Sequence, residues 1–413
     1  MRIIFTKLKT KTFDLSTSLL SLLLLLIVGF YFLAENGRIN AFPTYLIALI
    51  TLFCLFFSTT YRLLYATDRW LLLVVICLIC YLSLSTFWSS DVDSKDQLKH
   101  LGYAALILSF LASFVLCVRK YPTFNDYFLA TILLSSSISA GLSIYLHFAF
   151  PDYQIIPEPR LYGFGRLSNP VIAAISYGFG LWVGVYLLMN SKHLGIRIVI
   201  ELCVLLLFAC LVLTGTRSVW GALAVSLGIG IALKLNRKPW LVFFVVVILT
   251  GVTASLSVEW GELLRRGLSH RPEIWAEFIS RTIEFRPFIG FGAGSASEWI
   301  TPTYTFRHPH SIFVSTFYYG GLIGLLLLLA TYAACLSVIS SANQPQDKHL
   351  ALMSLAYGAS IGFFDGDTFI TKVDHLWWVF WLPVAWCLAI DSERLSSGYR
   401  FLPIRTWIGK FTR

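Results

Sequence analysis

The chain has 413 residues, of which 57% are hydrophobic and 13% are charged. An ordinary soluble domain has about 45–50% apolar and about 25% charged residues, so this composition excludes a soluble enzyme, a disordered chain and a secreted disulfide scaffold. It predicts an all-α, polytopic membrane protein. The net charge of +10 leaves three classes of partner open, namely nucleic acid, anionic lipid and an anionic substrate.

Twelve stretches are long and apolar enough to cross a bilayer, because a spanning helix needs about 20 mostly apolar residues. They are 15–34, 43–59, 70–88, 101–118, 125–149, 171–190, 197–216, 218–235, 240–257, 311–339, 350–364 and 375–390. The first is too long for a signal-peptide apolar region, and no small-residue cleavage site follows it. We therefore predict one integral membrane domain, residues 1–413, with about 12 transmembrane helices.

The distribution of Lys and Arg predicts the orientation, because short cytoplasmic loops carry an excess of these residues. In the short segments, 19 basic residues lie on the side that holds both termini, and seven lie on the other side. We therefore expect cytoplasmic termini and one large periplasmic loop, residues 258–309. The cytoplasmic positive charge is spread over short loops, which disfavours nucleic acid as a partner.

Arginines approach the periplasmic surface from three separate segments. Arg160 and Arg166 lie in a Pro- and Gly-rich connection, and Arg217 lies in a short break between two apolar runs. Arg271 directly precedes a proline, which favours a helix start. A guanidinium can bind phosphate through two parallel hydrogen bonds, and a helix N-terminus also attracts anions. These arginines predict a site for a lipid phosphate or pyrophosphate, although an ordinary turn arginine is the alternative for Arg217.

His310 directly precedes the predicted span 311–339, so its ring is expected at the outer membrane surface. A neutral imidazole can accept a proton from a hydroxyl group, which makes His310 a candidate catalytic base. His308, two residues earlier, is the local competitor. A purely structural histidine at the start of a helix is the other interpretation.

Two further patterns are weaker signals. The glycine-rich stretches 163–166 and 290–294 are similar to phosphate-binding loops, but neither lies between a strand and a helix, so we interpret them as tight turns. Two acidic pairs have the DxD form of some metal sites: Asp91/Asp93 and Asp365/Asp367. Neither pair has a third ligand nearby in sequence, and we predict no metal site.

The residues around His310 resemble a known signature. His310-Ser311, nine residues, Gly321, two residues and Gly324 are similar to the H-[NSQ]-x9-G-x-x-G signature of bacterial O-antigen ligases. Other segments resemble the core of the O-antigen ligase/polymerase superfamily: the TGTR turn that ends at Arg217, Arg271 with Trp275, and Arg286-Pro287 followed by Gly290, Gly292 and Gly294. These motifs cover residues 214–324, and the predicted topology extends the resemblance to the whole chain.

The resemblance implies a glycosyltransferase of the Gram-negative inner membrane that acts without a metal ion or other cofactor. It would transfer a finished glycan from undecaprenyl pyrophosphate to a sugar hydroxyl of lipid A–core, with membrane lipids around it. His310 would be the essential histidine, and Arg217 and Arg271 the essential arginines. Arg160 and Arg166 match the family only by position and character. We expect the arginines to clamp the pyrophosphate while His310 takes or orients the acceptor proton, and the attack would invert the anomeric centre.

Three other functions remain as alternatives. An O-antigen polymerase uses the same donor but a growing glycan as acceptor, and a protein O-oligosaccharyltransferase uses a Ser or Thr acceptor. The spacing after His310 favours the ligase. A transporter or flippase for the lipid-linked glycan is the alternative from another class, and it predicts charges in mid-membrane and inverted repeats. The sequence shows neither feature.

Overall fold

The structure, a computed structural model, describes residues 2–57, 64, 67–150, 160–234, 270–300 and 305–390. The helices are α1 (Arg2–Leu33), α2 (Ala41–Phe57), α3 (Arg69–Leu84), α4 (Ser94–Lys120), α5 (Phe124–Ala149), α6 (Pro170–Asn190), α7 (Leu194–Thr214), α8 (Arg217–Lys234), α9 (Arg271–Phe285), α10 (Ile312–Ser341), α11 (Pro345–Phe364) and α12 (Leu382–Ala389). Short turns of 3-10 helix span Ser85–Trp88 and Gly165–Leu167, and a π-helical turn, Trp377–Trp381, leads into α12. Two short strands, β1 (Trp299–Ile300) and β2 (Thr305–Phe306), pair antiparallel.

Eleven of the twelve predicted spans coincide with these helices, and the twelfth, 240–257, lies outside the described residues. In the described part of the chain, seven helices are long and apolar enough to cross a membrane, and two shorter apolar stretches occur at 41–53 and 377–389. Large apolar side chains such as Leu202 and Leu205 of α7 point away from the other helices. A lipid solvent permits this arrangement. The prediction of an all-α, polytopic membrane protein is confirmed.

Helix α6 lies at the centre of the bundle and packs against α5, α7 and α8. Its Tyr177 hydroxyl lies 2.7 Å from the Ser143 hydroxyl and 3.0 Å from that of Ser139. Ser135, earlier in α5, donates to the Thr131 carbonyl at 2.6 Å. The hydroxyl groups of Ser135, Ser139 and Ser143 are therefore compatible with an apolar surrounding, because they are hydrogen-bonded within the protein. The buried hydroxyl group of Ser137, in the same run, has no partner among the described residues.

The described residues of the connections after α1, α3, α5, α7 and α11 meet at one end of the bundle, together with residues 286–300 and 305–311. We call this the site end. Four contacts join them: Gly165 packs on the backbone of Ala34, the Leu161 amide donates to the Leu213 carbonyl at 2.9 Å, Arg166 donates to the Val373 carbonyl, and the Ala293 amide donates to the Ser85 hydroxyl at 2.8 Å. Residues far apart in sequence thus come together beyond the ends of the helices.

Helix α10 is broken at Gly321, where φ is 61° and ψ is −161°. The segment 287–292 fills the break through four backbone hydrogen bonds: Leu322 N–H to Pro287 (2.8 Å), Ile323 N–H to Phe288 (3.1 Å), Phe291 N–H to Tyr318 (2.9 Å) and Gly292 N–H to Tyr319 (2.8 Å). Unpaired backbone groups are costly in apolar surroundings, so this segment stabilises the break. The glycine-rich stretch 290–294 therefore does more than make the expected tight turns.

We expect Gly290→Ala to lower the thermal unfolding midpoint of the detergent-solubilised protein by several degrees. Gly290 has a φ of 67°, and a Cβ there would lie 2.5 Å from the backbone of Tyr319 and Gly321. The combined strain and clash should cost about 2–3 kcal/mol. Gly221→Ala in α8 is the matched control, because its Cβ would meet no atom within 4 Å. Equal midpoints for the two variants would contradict this account of the break.

Candidate active site

His310 lies at the site end, directly before the first turn of α10. Its backbone φ is 53°, in the left-handed region. Its side chain is about one-third exposed, at 37%, and its Nδ1 lies 3.6 Å from the Oδ1 of Asp365. Since Nδ1 faces the carboxylate, Nε2 is the ring nitrogen left to meet a substrate.

Asp365 follows the last residue of α11 and is buried. Burial by itself would raise the pKa of this carboxyl group. The contact with His310, the nearby His375 and the Gly366 amide, which donates to Oδ1 at 2.7 Å, outweigh burial and hold the pKa below its ordinary value. Asp365 is therefore ionised at neutral pH and can orient His310.

His308 packs directly against His310, with ring centroids 3.8 Å apart. Burial lowers the pKa of His308, and the neighbouring His310 lowers it further. Asp367 lies close to His308, and burial raises the pKa of this carboxyl group although His308 opposes the shift. The lowered pKa keeps His308 neutral at physiological pH.

Arg271 is the first residue of α9, where the sequence predicts a helix start. Its guanidinium lies 5.9 Å from the centre of the ring of Phe364, the residue before Asp365 in sequence. Burial lowers the pKa of Arg271, and the charge of Arg217 lowers it further, whereas Asp365 raises it. The two arginines that the motifs single out therefore lie within electrostatic reach of each other and of the His310–Asp365 pair.

Arg217 is exposed and is the first residue of α8. Helix α7 ends at Gly215, whose φ of 61° and ψ of 21° turn the chain sharply. Glycine adopts this left-handed conformation without a steric penalty. The break between α7 and α8 is thus only two residues long, which holds Arg217 at the helix N-terminus.

Arg160 and Arg166 both bind neighbouring protein groups. Arg160 donates from Nε to the Thr214 carbonyl at 2.8 Å and from Nη2 to the Thr216 hydroxyl at 3.0 Å, so it lies over the turn before Arg217. Arg166 lies 4.9 Å from the centre of the Tyr31 ring and donates from Nη2 to a backbone carbonyl, while its buried Nη1 has no hydrogen-bond partner among the described residues. Arg160 lies near Arg217, whereas Arg166 joins α1 to the connection after α11.

Asp365 is the residue that the motif analysis missed, since its DxD pattern suggested a metal ligand rather than a partner for histidine. In the other DxD pair, Asp91 accepts from the Ala296 amide at 2.8 Å, and Asp93 caps α4 by accepting from the Asp96 amide at 2.8 Å. Across the described ranges, no three His, Cys, Asp or Glu side chains converge as a metal site would require. Arg265 and Arg266, two further basic residues of the predicted loop, lie outside those ranges.

The fold and the site together define a multi-pass helical membrane protein with a histidine–carboxylate pair and clustered arginines at one end of its helices. Such a site can hold a phosphorylated group at the guanidinium groups while an imidazole accepts a proton.

Comparison with known proteins shows which proteins this chain is similar to. Residues 202–329 match the profile of a family described as O-antigen ligase. A protein of Pseudomonas aeruginosa named O-antigen ligase is 27% identical over 323 residues, which cover 78% of this chain and 77% of that protein. These similarities agree with the resemblance to O-antigen ligases that the motifs carry.

Proposed function

We propose that this protein is an O-antigen ligase, a glycosyltransferase of the inner membrane of a Gram-negative bacterium. It transfers a glycan from undecaprenyl pyrophosphate to a sugar hydroxyl of lipid A–core at the periplasmic face. The observation that carries the proposal is the His310–Asp365 pair beside Arg271. The family description and the name of the relative support a glycan of the O-antigen class.

Arg217 and Arg271 bind the pyrophosphate of the donor. The two positive charges repel each other, so an anion between them is favoured. Both arginines are also the first residues of helices, where backbone amides favour negative charge. As the glycosidic C1–O bond breaks, negative charge grows on the leaving pyrophosphate. Guanidinium groups already in place stabilise that charge without reorganisation. A role for a metal ion is therefore not part of the proposal.

His310 takes the proton of the acceptor hydroxyl. The oxygen of the acceptor forms the new bond to C1, undecaprenyl pyrophosphate leaves from the opposite face, and the hydroxyl proton moves to Nε2 of His310. Asp365 stabilises the imidazolium ion through Nδ1, where the two side chains are 3.6 Å apart. One displacement of this kind inverts the anomeric centre.

Arg160 and Arg166 support the donor site in different ways. Arg160 holds the α7–α8 turn through Thr214 and Thr216, and this fixes the direction in which Arg217 points. Arg166 has a buried Nη1 to offer to a phosphate oxygen or an ordered water. We propose that both contribute to pyrophosphate binding, with Arg160 closer to Arg217.

The excess of basic residues in the opposite connections supports a periplasmic location for the site end and cytoplasmic termini. The lipid chains of donor and acceptor then lie among the lipid-facing helices, and their polar groups reach the site from the membrane surface. The segment 258–309 provides Arg271 and leads into His310, so we propose that it is a periplasmic part of the single membrane domain.

The lipopolysaccharide of a deletion strain tests the function. A ligase predicts intact core without O-antigen, together with accumulated lipid-linked polymer. Core that carries a single repeat unit would indicate a polymerase instead. Purified protein should also transfer the glycan in vitro without added proteins, and a failure of that transfer would refute the proposal directly.

We expect Asp365→Asn to reduce kcat for glycan transfer about 10- to 100-fold with little change in the donor KM. The amide is nearly isosteric, but it cannot stabilise the positive charge that His310 acquires in the reaction. Steady-state kinetics of the purified variant provide the measurement.

Asp93→Asn is the matched control for Asp365→Asn. Asp93 caps α4 at the same end of the bundle, and asparagine is an equally good N-cap. This variant should retain wild-type activity. If Asp365→Asn were as active as Asp93→Asn, the role given to Asp365 would be wrong.

A further inference from the structure

The peptide group between Pro309 and His310 is held at both of its polar atoms by side chains. The indole Nε1 of Trp275 donates to the Pro309 carbonyl at 3.0 Å. The His310 amide donates to the Nδ1 of His308 at 3.3 Å. Most backbone groups pair with other backbone groups, so a peptide that is bound by side chains on both sides is unusual.

This peptide group determines the conformation of His310. The φ of His310 is 53°, a left-handed value that L residues with a side chain rarely adopt. The cost of that conformation corresponds to about a 5- to 30-fold preference for the right-handed alternative. Because the proline ring fixes the φ of Pro309, a flip of this peptide would act through ψ of Pro309 and φ of His310.

The two side chains that hold the peptide belong to the surroundings of the site. Trp275 lies one helical turn after Arg271 in α9. Its ring makes an edge-to-face contact with the ring of Phe363, with the ring centroids 5.2 Å apart, and Phe363 lies two residues before Asp365 in sequence. The ring of His308 packs against that of His310 itself. A flip of the peptide would break both hydrogen bonds and move the His310 ring away from Asp365.

We propose that His308 and Trp275 are positioning residues that hold the Pro309–His310 peptide in the orientation in which His310 faces Asp365. The inference rests on the proposed function, because it assigns these residues to the same reaction. His308 acts through its Nδ1 as a hydrogen-bond acceptor, and Trp275 acts through its indole N–H as a donor. Neither residue takes part in the proton transfer.

The test uses the full-length protein in glycan transfer with substitutions that are each aimed at one hydrogen bond of the peptide. His308→Asn keeps an acceptor at the position of Nδ1 and should stay within about threefold of the wild-type kcat. His308→Leu removes the acceptor and should lower kcat about tenfold with the donor KM unchanged. Trp275→Phe keeps the ring but lacks the donor, and it should also lower kcat. Trp299→Phe in β1, the same truncation away from this peptide, should leave kcat unchanged.

The double variant Trp275→Phe/His308→Leu tests whether the two side chains act through the same peptide group. Two side chains that act through the same peptide should give a combined loss in kcat that differs from the product of the single losses. His308→Gln, whose amide lies one carbon farther out, replaces His308→Leu if the latter does not fold.

Three results would overturn the proposal: equal losses for His308→Asn and the variant without an acceptor, single losses that simply multiply, or an effect confined to KM. A wild-type protein that transfers no glycan would instead refute the proposed function. The two failures are therefore distinguishable.

Discussion

Replacement of His310 by alanine should lower kcat for glycan transfer about 10²- to 10⁴-fold, the usual contribution of a general base. The variant lacks the group that receives the hydroxyl proton, so Asp365 has no imidazolium ion to stabilise. Donor binding should change little, because in the proposed mechanism the arginines, and not His310, hold the pyrophosphate. The measurement is steady-state transfer by the purified protein, with donor affinity determined separately.

The control for this variant is His193→Ala. His193 lies directly before α7, in the connection at the opposite end of the bundle, so its loss should leave transfer unchanged. Both proteins should elute as the wild type does in size-exclusion chromatography. If His310→Ala turned over at a near wild-type rate, the base would have to be another group, and His308 would be the first to test.

Arg271→Ala and Arg217→Ala should each reduce kcat about 10²- to 10³-fold, since each removes a cation from the place where charge develops on the leaving group. Arg271→Lys keeps the charge but loses the planar fork that binds two phosphate oxygens, so it should recover only part of the activity. Both donor affinity and kcat should fall in the alanine variants, because the bound donor already carries its pyrophosphate before the reaction begins.

Arg281 provides the matched control on the same helix as Arg271. It lies in α9 and forms an ion pair with Glu277 at 3.0 Å, with both side chains partly exposed. Such pairs contribute little to stability, and Arg281→Ala should transfer glycan at the wild-type rate. Equal activity of the Arg271 and Arg281 variants would exclude Arg271 from the donor site.

The same three side chains stand out in the sequence and in the structure, for local chemical reasons. Arg217 lies in a break too short to be anything but a tight turn, Arg271 precedes a proline, and His310 precedes a long apolar run. Each of these signals comes from neighbouring residues, so one sequence is enough to predict it. The sequence also predicts that these arginines lie on the same side of the membrane, because successive spans cross it in opposite directions.

Asp365 could not be assigned in this way. Its sequence neighbours suggest a metal-binding pair, and nothing near it points to a histidine at the start of another helix. The contact arises because α11 packs beside α10, and its last turn brings the carboxylate to His310. The same holds for Trp275, whose indole reaches a carbonyl that lies in the connection before α10.

The role of the glycines after His310 also depends on packing. The spacing of Gly321 and Gly324 resembles the O-antigen ligase signature, but it does not show that α10 breaks at Gly321. The break is tolerated because segment 287–292 supplies backbone partners in register with it. No periodicity in the sequence indicates this pairing, because it joins a loop to the middle of an apolar helix.

The sequence by itself determined the class of membrane protein and the approximate bounds of the described spans. It also indicated the resemblance to O-antigen ligases and the three side chains that we propose bind phosphate and accept a proton. These follow from hydropathy, local turn chemistry and motif spacing, which are properties of contiguous residues. Only the tertiary structure decided which carboxylate faces His310, what holds the strained backbone at that residue, and which segment fills the break in α10. Those contacts join residues from different helices, and their geometry is set by helix packing rather than by local sequence.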